Sequence, residues 1–134
     1  MQNITYIYRN LINREQLLPW AAANSFELLW GLHITIAYSR TPIDLTHEEL
    51  CPNSLEIIGG SREIIPLGDI NKVAALKIQN RYLQQSFNKY KCLGASWDYP
   101  EYIPHISVAT EYKDIEPFLG SLVFGPEQMK KFEV

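Results

Sequence analysis

Two of the three histidines in this 134-residue chain occupy one and the same frame. Leu32-His33-Ile34-Thr35-Ile36-Ala37 returns later as Pro104-His105-Ile106-Ser107-Val108-Ala109. Each imidazole is followed two positions on by a hydroxyl residue, with branched apolar residues between and after. Side chains alternate faces along a β-strand. His33 and Thr35 therefore share one face, His105 and Ser107 another, while the Ile and Val residues fill the opposite sides. Two such strands brought side by side would present two imidazoles and two hydroxyls to one cleft. That is a kit for metal-free acid–base chemistry on a phosphodiester.

Cleaving a phosphodiester beside a 2′-hydroxyl needs a base to deprotonate that hydroxyl and an acid to protonate the departing 5′-oxygen. Imidazole titrates near neutrality, so one ring can begin neutral and the other charged. Their titrations would couple into a bell-shaped pH profile whose two values belong to the pair. Thr35 and Ser107 would donate to the non-bridging oxygens, and such preorganised donors are worth about 3 kcal/mol each in a water-poor cleft. Acidic residues do not cluster around either histidine, and H-x-[ST] is not a zinc-ligand spacing. No metal or other cofactor is expected. A single histidine on a strand is an ordinary structural residue, but a matched pair is not. His47 lies in a polar stretch outside the frame and is set aside.

The elements that must position these groups read as a mixture of strands and segregated helices, which is α+β. Ile4 to Tyr8 alternates and is rich in β-formers. Asn13 with Gln16 resembles a capping box opening a helix to about Asn24, with Pro19 kinking it or delaying its start. Leu32 to Tyr38 is the first motif strand, stopped by Thr41-Pro42. Parity along it puts Tyr38 on the face away from His33, in the core. A polar loop spans Asp44 to Pro52. Ser54 to Ile58 and Arg62 to Ile65 read as a hairpin about Gly59-Gly60. After the turn signal Gly68-Asp69, Val73 to Ile78 is a strand. Asn80 starts a helix that buries Tyr82, Leu83, Phe87 and Tyr90 and stops at Gly94. An aromatic loop, Ser96 to Pro104, leads into the second motif strand, Ile103 to Ala109. Strands near Ser121–Phe124 and Met129–Glu133 follow.

The length suits a single domain with its own core over residues 1–134. A net charge of −3 gives no electrostatic reason to expect a long nucleic acid as partner, although a small nucleotide can be held by local groups. Cys51 and Cys92 lack metal-ligand spacing and read as reduced, structural residues. No apolar run approaches the ~18 residues of a membrane helix, and Met1-Gln2-Asn3 opens no signal peptide. A cytoplasmic protein is expected.

The paired motifs resemble the H-x-[ST]-x signature of the 2H phosphoesterase superfamily. The wider segments Trp30-Gly31-Leu32-His33-Ile34-Thr35-Ile36-Ala37-Tyr38-Ser39-Arg40 and Trp97 to Val108 are similar to its branch of phage anti-CBASS cyclic-oligonucleotide phosphodiesterases. Thr5-Tyr6 and Phe124-Gly125-Pro126-Glu127 fit the same branch. The resemblance implies a bilobal fold of mostly antiparallel sheets with pseudo-two-fold symmetry about a central cleft. It implies metal-independent hydrolysis of 3′–5′ bonds in cyclic di- or trinucleotide immune signals through a 2′,3′-cyclic phosphate, inside an infected bacterial host. His33 and His105 take the acid–base roles, and Thr35 and Ser107 hold the phosphate. A tyrosine of the first strand, placed at Tyr6 with Tyr8 as the alternative, and a carboxylate near the end, placed at Glu127 with Glu133 as the alternative, line the cleft.

Trp97 and Tyr99 are candidates for stacking on a base, a contact worth about 1–3 kcal/mol per base; Trp97, like Trp30, reads first as packing, and Tyr99 and Tyr102 stand evenly between cleft rim and packing. Trp30 reads as packing within the protein, and Arg40 and Lys113 as charges just past strand ends. The same chemistry also suits RNA ends bearing 2′,3′-cyclic phosphates or 2′–5′ linkages. A non-catalytic nucleotide sponge and a virion component with a decayed fold are the other readings. Retention of both histidines and both hydroxyls counts against these last two.

Overall fold

The computed structural model describes residues 3–68, 70 and 72–134. Its strands are β1 (Asn3–Asn10), β2 (His33–Ser39), β3 (Leu55–Ile57), β4 (Arg62–Leu67), β5 (Val73–Ile78), β6 (His105–Ala109), β7 (Leu122–Phe124) and β8 (Gln128–Glu133). The helices are α1 (Leu18–Ala23) and α2 (Arg81–Cys92). Two three-stranded sheets, ordered β2-β1-β8 and β4-β5-β6, and a small β3-β7 pair make up the sheet structure. Every strand pairing is antiparallel, which is the small α+β architecture the sequence pattern predicts. Asp69, half of the expected Gly68-Asp69 turn signal, lies outside the described residues.

The two motif strands hold matching places. Each is an edge strand, β2 against central β1 and β6 against central β5. Their inward residues Ile34, Ile36, Ile106 and Val108 are fully buried and join one core with Leu76, Ile78, Leu83, Tyr90, Leu122 and Phe124.

Two local expectations change. The hairpin of residues 54–58 with 62–65 does not form: β3 pairs with β7, and β4 with β5. Gly59 and Gly60 both take positive φ, and the chain passes from one sheet to another through them. Arg62 fixes that crossing by donating to the carbonyls of Phe118 and Gly120, at 2.9 and 3.0 Å. Asn13 does not cap a helix. Its amide donates to Gln16 Oε1 and to the Ser121 carbonyl, and its Oδ1 accepts from Val123 N–H at 2.9 Å. The side chain thus acts as a strand partner for β7. A 3₁₀ turn over Arg14–Leu17 precedes α1, with Pro19 in the first helical turn where its missing N–H costs nothing.

The second helix follows its sequence signals. Asn80 Oδ1 accepts from Tyr82 and Leu83 N–H, and Gly94 at φ 104° ends the helix. Leu83, Phe87 and Tyr90 are buried, whereas Tyr82 is 52% exposed, because it sits beside the stripe rather than on it. Both cysteines are free, and Cys92 is exposed, so it has no structural burial.

Candidate active site

Each motif histidine is held in the same way. His33 Nδ1 lies 2.9 Å from the Gly31 carbonyl, and His105 Nδ1 lies 2.7 Å from the Ile103 carbonyl. A carbonyl oxygen can only accept, so it selects the tautomer with the proton on Nδ1 and leaves Nε2 with its lone pair. Gly31 reaches this position with φ 64°, where a side chain would be strained. His33 is exposed and His105 half-buried, and Thr35 and Ser107 beside them are half-buried.

The motif strands are packed against each other and cross-tied. Leu29 N–H donates to the Val108 carbonyl at 2.9 Å, and the Tyr102 hydroxyl to the Thr35 carbonyl at 2.7 Å. These ties run in opposite sequence order, so the two segments lie antiparallel. Both histidines fall between them.

Both motif strands also carry a bulge at the same offset. The register of β1 with β2 runs Ile7 to Ala37 and then Tyr8 to Thr35, leaving Ile36 extra. That of β5 with β6 runs Ala74 to Ala109 and then Ala75 to Ser107, leaving Val108 extra. An extra residue reverses the parity beyond it. Tyr38 is therefore not core. It returns to the His33 face, half-buried, with its ring 5.8 Å from that of Tyr6.

Tyr6 and Tyr8 both lie beside His33. Their rings stack at 4.8 Å and meet the imidazole edge-on at 6.4 and 6.2 Å. The Tyr6 hydroxyl is 3.4 Å from Thr35 Oγ1. Burial pushes the Tyr6 phenol above its ordinary range, against the opposing hydrogen bond to Thr35, so it stays a protonated donor. Lys130 places its ammonium 5.5 Å from the Tyr8 ring centre. Periodicity alone could not reveal Tyr38 or Lys130, because both depend on cross-strand register.

The remaining candidates fall in different surroundings. Glu127 is buried, with Oε1 accepting from Tyr90 Oη at 2.5 Å and from Cys51 N–H at 2.8 Å, while its buried Oε2 has no partner among the described residues. Burial first, then the Glu127 carboxylate, pushes the Tyr90 phenol far up. Glu133 is exposed, opposite Asn3 at the far end of β8. Trp97 is half-buried against Phe87 and Tyr102, with its indole N–H on the Glu101 carbonyl. Tyr99 stands 68% exposed against the edge of Trp97.

Trp30 is not a packing residue. It is 82% exposed, its ring covered on one side by the Arg14 guanidinium at 3.8 Å. Arg14 itself donates to the carbonyls of Leu28 and Leu29, which draws it over that ring. Arg40 is bound to Asp98 and to Ser96, which anchors the aromatic loop to the end of β2. Lys113 donates to the Ser25 carbonyl.

Among the described residues, no group of three or more His, Cys, Asp or Glu is placed to hold a metal ion. No helix there is long and apolar enough to cross a membrane.

Comparison with known proteins places this geometry in context. A family model described as anti-CBASS protein Acb1 matches residues 3–133. A protein of Caulobacter sp. (strain RHG1) named anti-CBASS protein Acb1 is 34% identical over 141 aligned positions, covering 96% of this chain and 22% of that protein. One of the same name from Sphingomonas paeninsulae is 32% identical over 137 positions, covering 91% of this chain and 22% of its own. The chain thus spans about a fifth of the length of the curated relatives it matches.

Proposed function

This chain belongs to the anti-CBASS protein Acb1 family, and we propose that it acts as a metal-independent phosphodiesterase of the 2H type. Its substrate is a cyclic di- or trinucleotide serving as an immune signal, and its action lets a phage evade CBASS in the infected host cell. In this reading the β2-β1-β8 and β4-β5-β6 sheets are the cores of two pseudo-symmetric lobes about the cleft.

One observation supports it above the others: both motif imidazoles are anchored through Nδ1 by the carbonyl two residues earlier, on strands packed together. Both Nε2 atoms are then available for proton transfer. One takes the proton of the ribose 2′-hydroxyl, whose oxygen attacks the adjacent phosphorus. The other, starting as the imidazolium with a proton on Nε2 as well, gives that proton to the departing 5′-oxygen as the P–O bond breaks. The products are a 5′-hydroxyl and a 2′,3′-cyclic phosphate. Thr35, held by Tyr6, and Ser107 donate to the non-bridging oxygens. The tyrosines beside His33 and the exposed Tyr99 offer surfaces for the bases.

Purified protein incubated with a panel of cyclic di- and trinucleotides tests this, with products identified by mass spectrometry. The expected product is a linear nucleotide ending in a 2′,3′-cyclic phosphate, with 2′-deoxy analogues left intact. Binding without cleavage would make the protein a sponge. Cleavage confined to RNA ends would move the substrate class. Cutting of the deoxy analogue would remove the internal nucleophile.

A further inference from the structure

Antiparallel β5 and β6 pair Lys77 directly opposite His105. Directly opposed residues share a sheet face, with Cβ atoms about 5 Å apart. Lys77 therefore stands on the face of His105 and Ser107, half-buried. Glu63 is opposed to Lys77 from the other side, yet no ion pair joins them among the described residues. An ammonium that forms no salt bridge among the described residues, opposite a histidine assigned to phosphodiester cleavage, is a ready anion contact.

The surroundings extend that contact into a cavity. A cavity of about 370 Å³ is lined by Lys77, Gln79, Arg81, Gln84, Glu101 and Ile103, among others. Its lining also includes Pro104, and Ile103 is the residue whose carbonyl holds His105 Nδ1, so it borders the segment that leads into that histidine. Its charged lining is two cations against one carboxylate, with amide groups between them. Lys77 also lines a smaller cavity of about 120 Å³ with Arg62, Glu63 and Gln79. The corresponding neighbour of His33 across β1 is the neutral Asn10. The two histidines thus match in their own hold and differ in what stands beside them.

We propose that Lys77, with the cavity it lines beside His105, binds the second phosphodiester of the cyclic substrate while the first is cut between the histidines. This rests on the phosphodiesterase reading and adds a specificity determinant to it. A ligand with two phosphodiesters engages Lys77, and one with a single phosphodiester does not. Lys77 is then a binding residue whose loss weakens the cyclic ligand and spares the linear one.

The test measures binding, so that it does not depend on turnover. Cyclic di-deoxyadenylate carries two phosphodiesters and no 2′-hydroxyl, and the linear dinucleotide dApdA carries one. Equilibrium dialysis of both against wild type, Lys77→Gln and Lys77→Arg gives the readout. Lys77→Gln is expected to weaken the cyclic ligand about tenfold, as loss of a charge-assisted contact does. It should leave dApdA unchanged, and Lys77→Arg should recover the cyclic ligand. Equal weakening of both ligands, no weakening of either, or no binding of the cyclic ligand by wild type overturns the proposal. If Lys77-dependent binding appears while the ribose substrate is not cleaved, the second-phosphate site stands and the hydrolytic reading falls.

Discussion

The Tyr102 hydroxyl donates to the Thr35 backbone carbonyl across 2.7 Å, joining the loop before β6 to the middle of β2. Tyr102 is in turn stacked on Phe87 of α2, with ring planes 4° apart at 4.4 Å. This phenol is therefore one of the two ties that hold the motif strands against each other, the other being Leu29 N–H on the Val108 carbonyl. Burial pushes its acidity well away from the ordinary tyrosine range, so it remains a donor at neutral pH.

Tyr102→Phe keeps the stack and removes only the tie. The expected cost in stability is about 1 kcal/mol by urea denaturation, the net worth of one such hydrogen bond. Turnover should fall by a larger factor, because the imidazoles sit on the strands whose alignment is released. Loss of stability with unchanged turnover would show that the tie does not position the site.

Glu127 is expected to report as a structural residue. Replacing it with Ala leaves the Tyr90 hydroxyl and the Cys51 amide without their acceptor in the interior. The cost should be about 3 kcal/mol, at the upper end for buried groups bonded to a charge. A variant of unchanged stability with weakened substrate binding would place the carboxylate in the cleft instead.

Alkaline pH should unfold the protein early. Tyr90 and Tyr102 both have phenols raised above the ordinary value of 10.0. The folded state therefore keeps protons that the unfolded chain releases once pH passes that value. Stability from these shifts is complete below pH 10 and lost as pH rises above it, with a slope of about 1.4 kcal/mol per pH unit for each tyrosine. Tyr90→Phe should flatten the fall in melting temperature between pH 10 and 11.5. An equally steep fall in the variant would contradict the assignment.

Much of the site was legible because a strand's alternation is local. The H-x-[ST]-x frame, the buried Ile and Val residues behind it, and the Asn80 cap of α2 follow from neighbouring residues alone. What failed depends on partners far along the chain. The bulges at Ile36 and Val108 exist only in relation to β1 and β5, and the first of them turns Tyr38 from the core to the His33 face. The pairing of β3 with β7 rather than β4 joins segments more than sixty residues apart, and Arg62 reaches the carbonyls of Phe118 and Gly120 beside it. Trp30 stands exposed with Arg14 of another segment over one side of its ring, a contact that no local pattern announces.

Activity should persist in excess EDTA, since proton transfer and phosphate contacts are all assigned to side chains of this protein. The check is turnover before and after exhaustive chelation. Complete loss, restored by a divalent cation, would replace the paired-imidazole mechanism with a metal-dependent one.

The proposed chemistry requires His33 and His105 to act as one pair. The decisive measurement is single-turnover cleavage of a cyclic dinucleotide by wild type, His33→Ala and His105→Ala, alongside their melting temperatures. Each variant should lose at least about a hundredfold in rate, the scale of a positioned acid or base, while melting close to wild type because neither ring is buried. Near-wild-type cleavage by either folded variant would contradict the account.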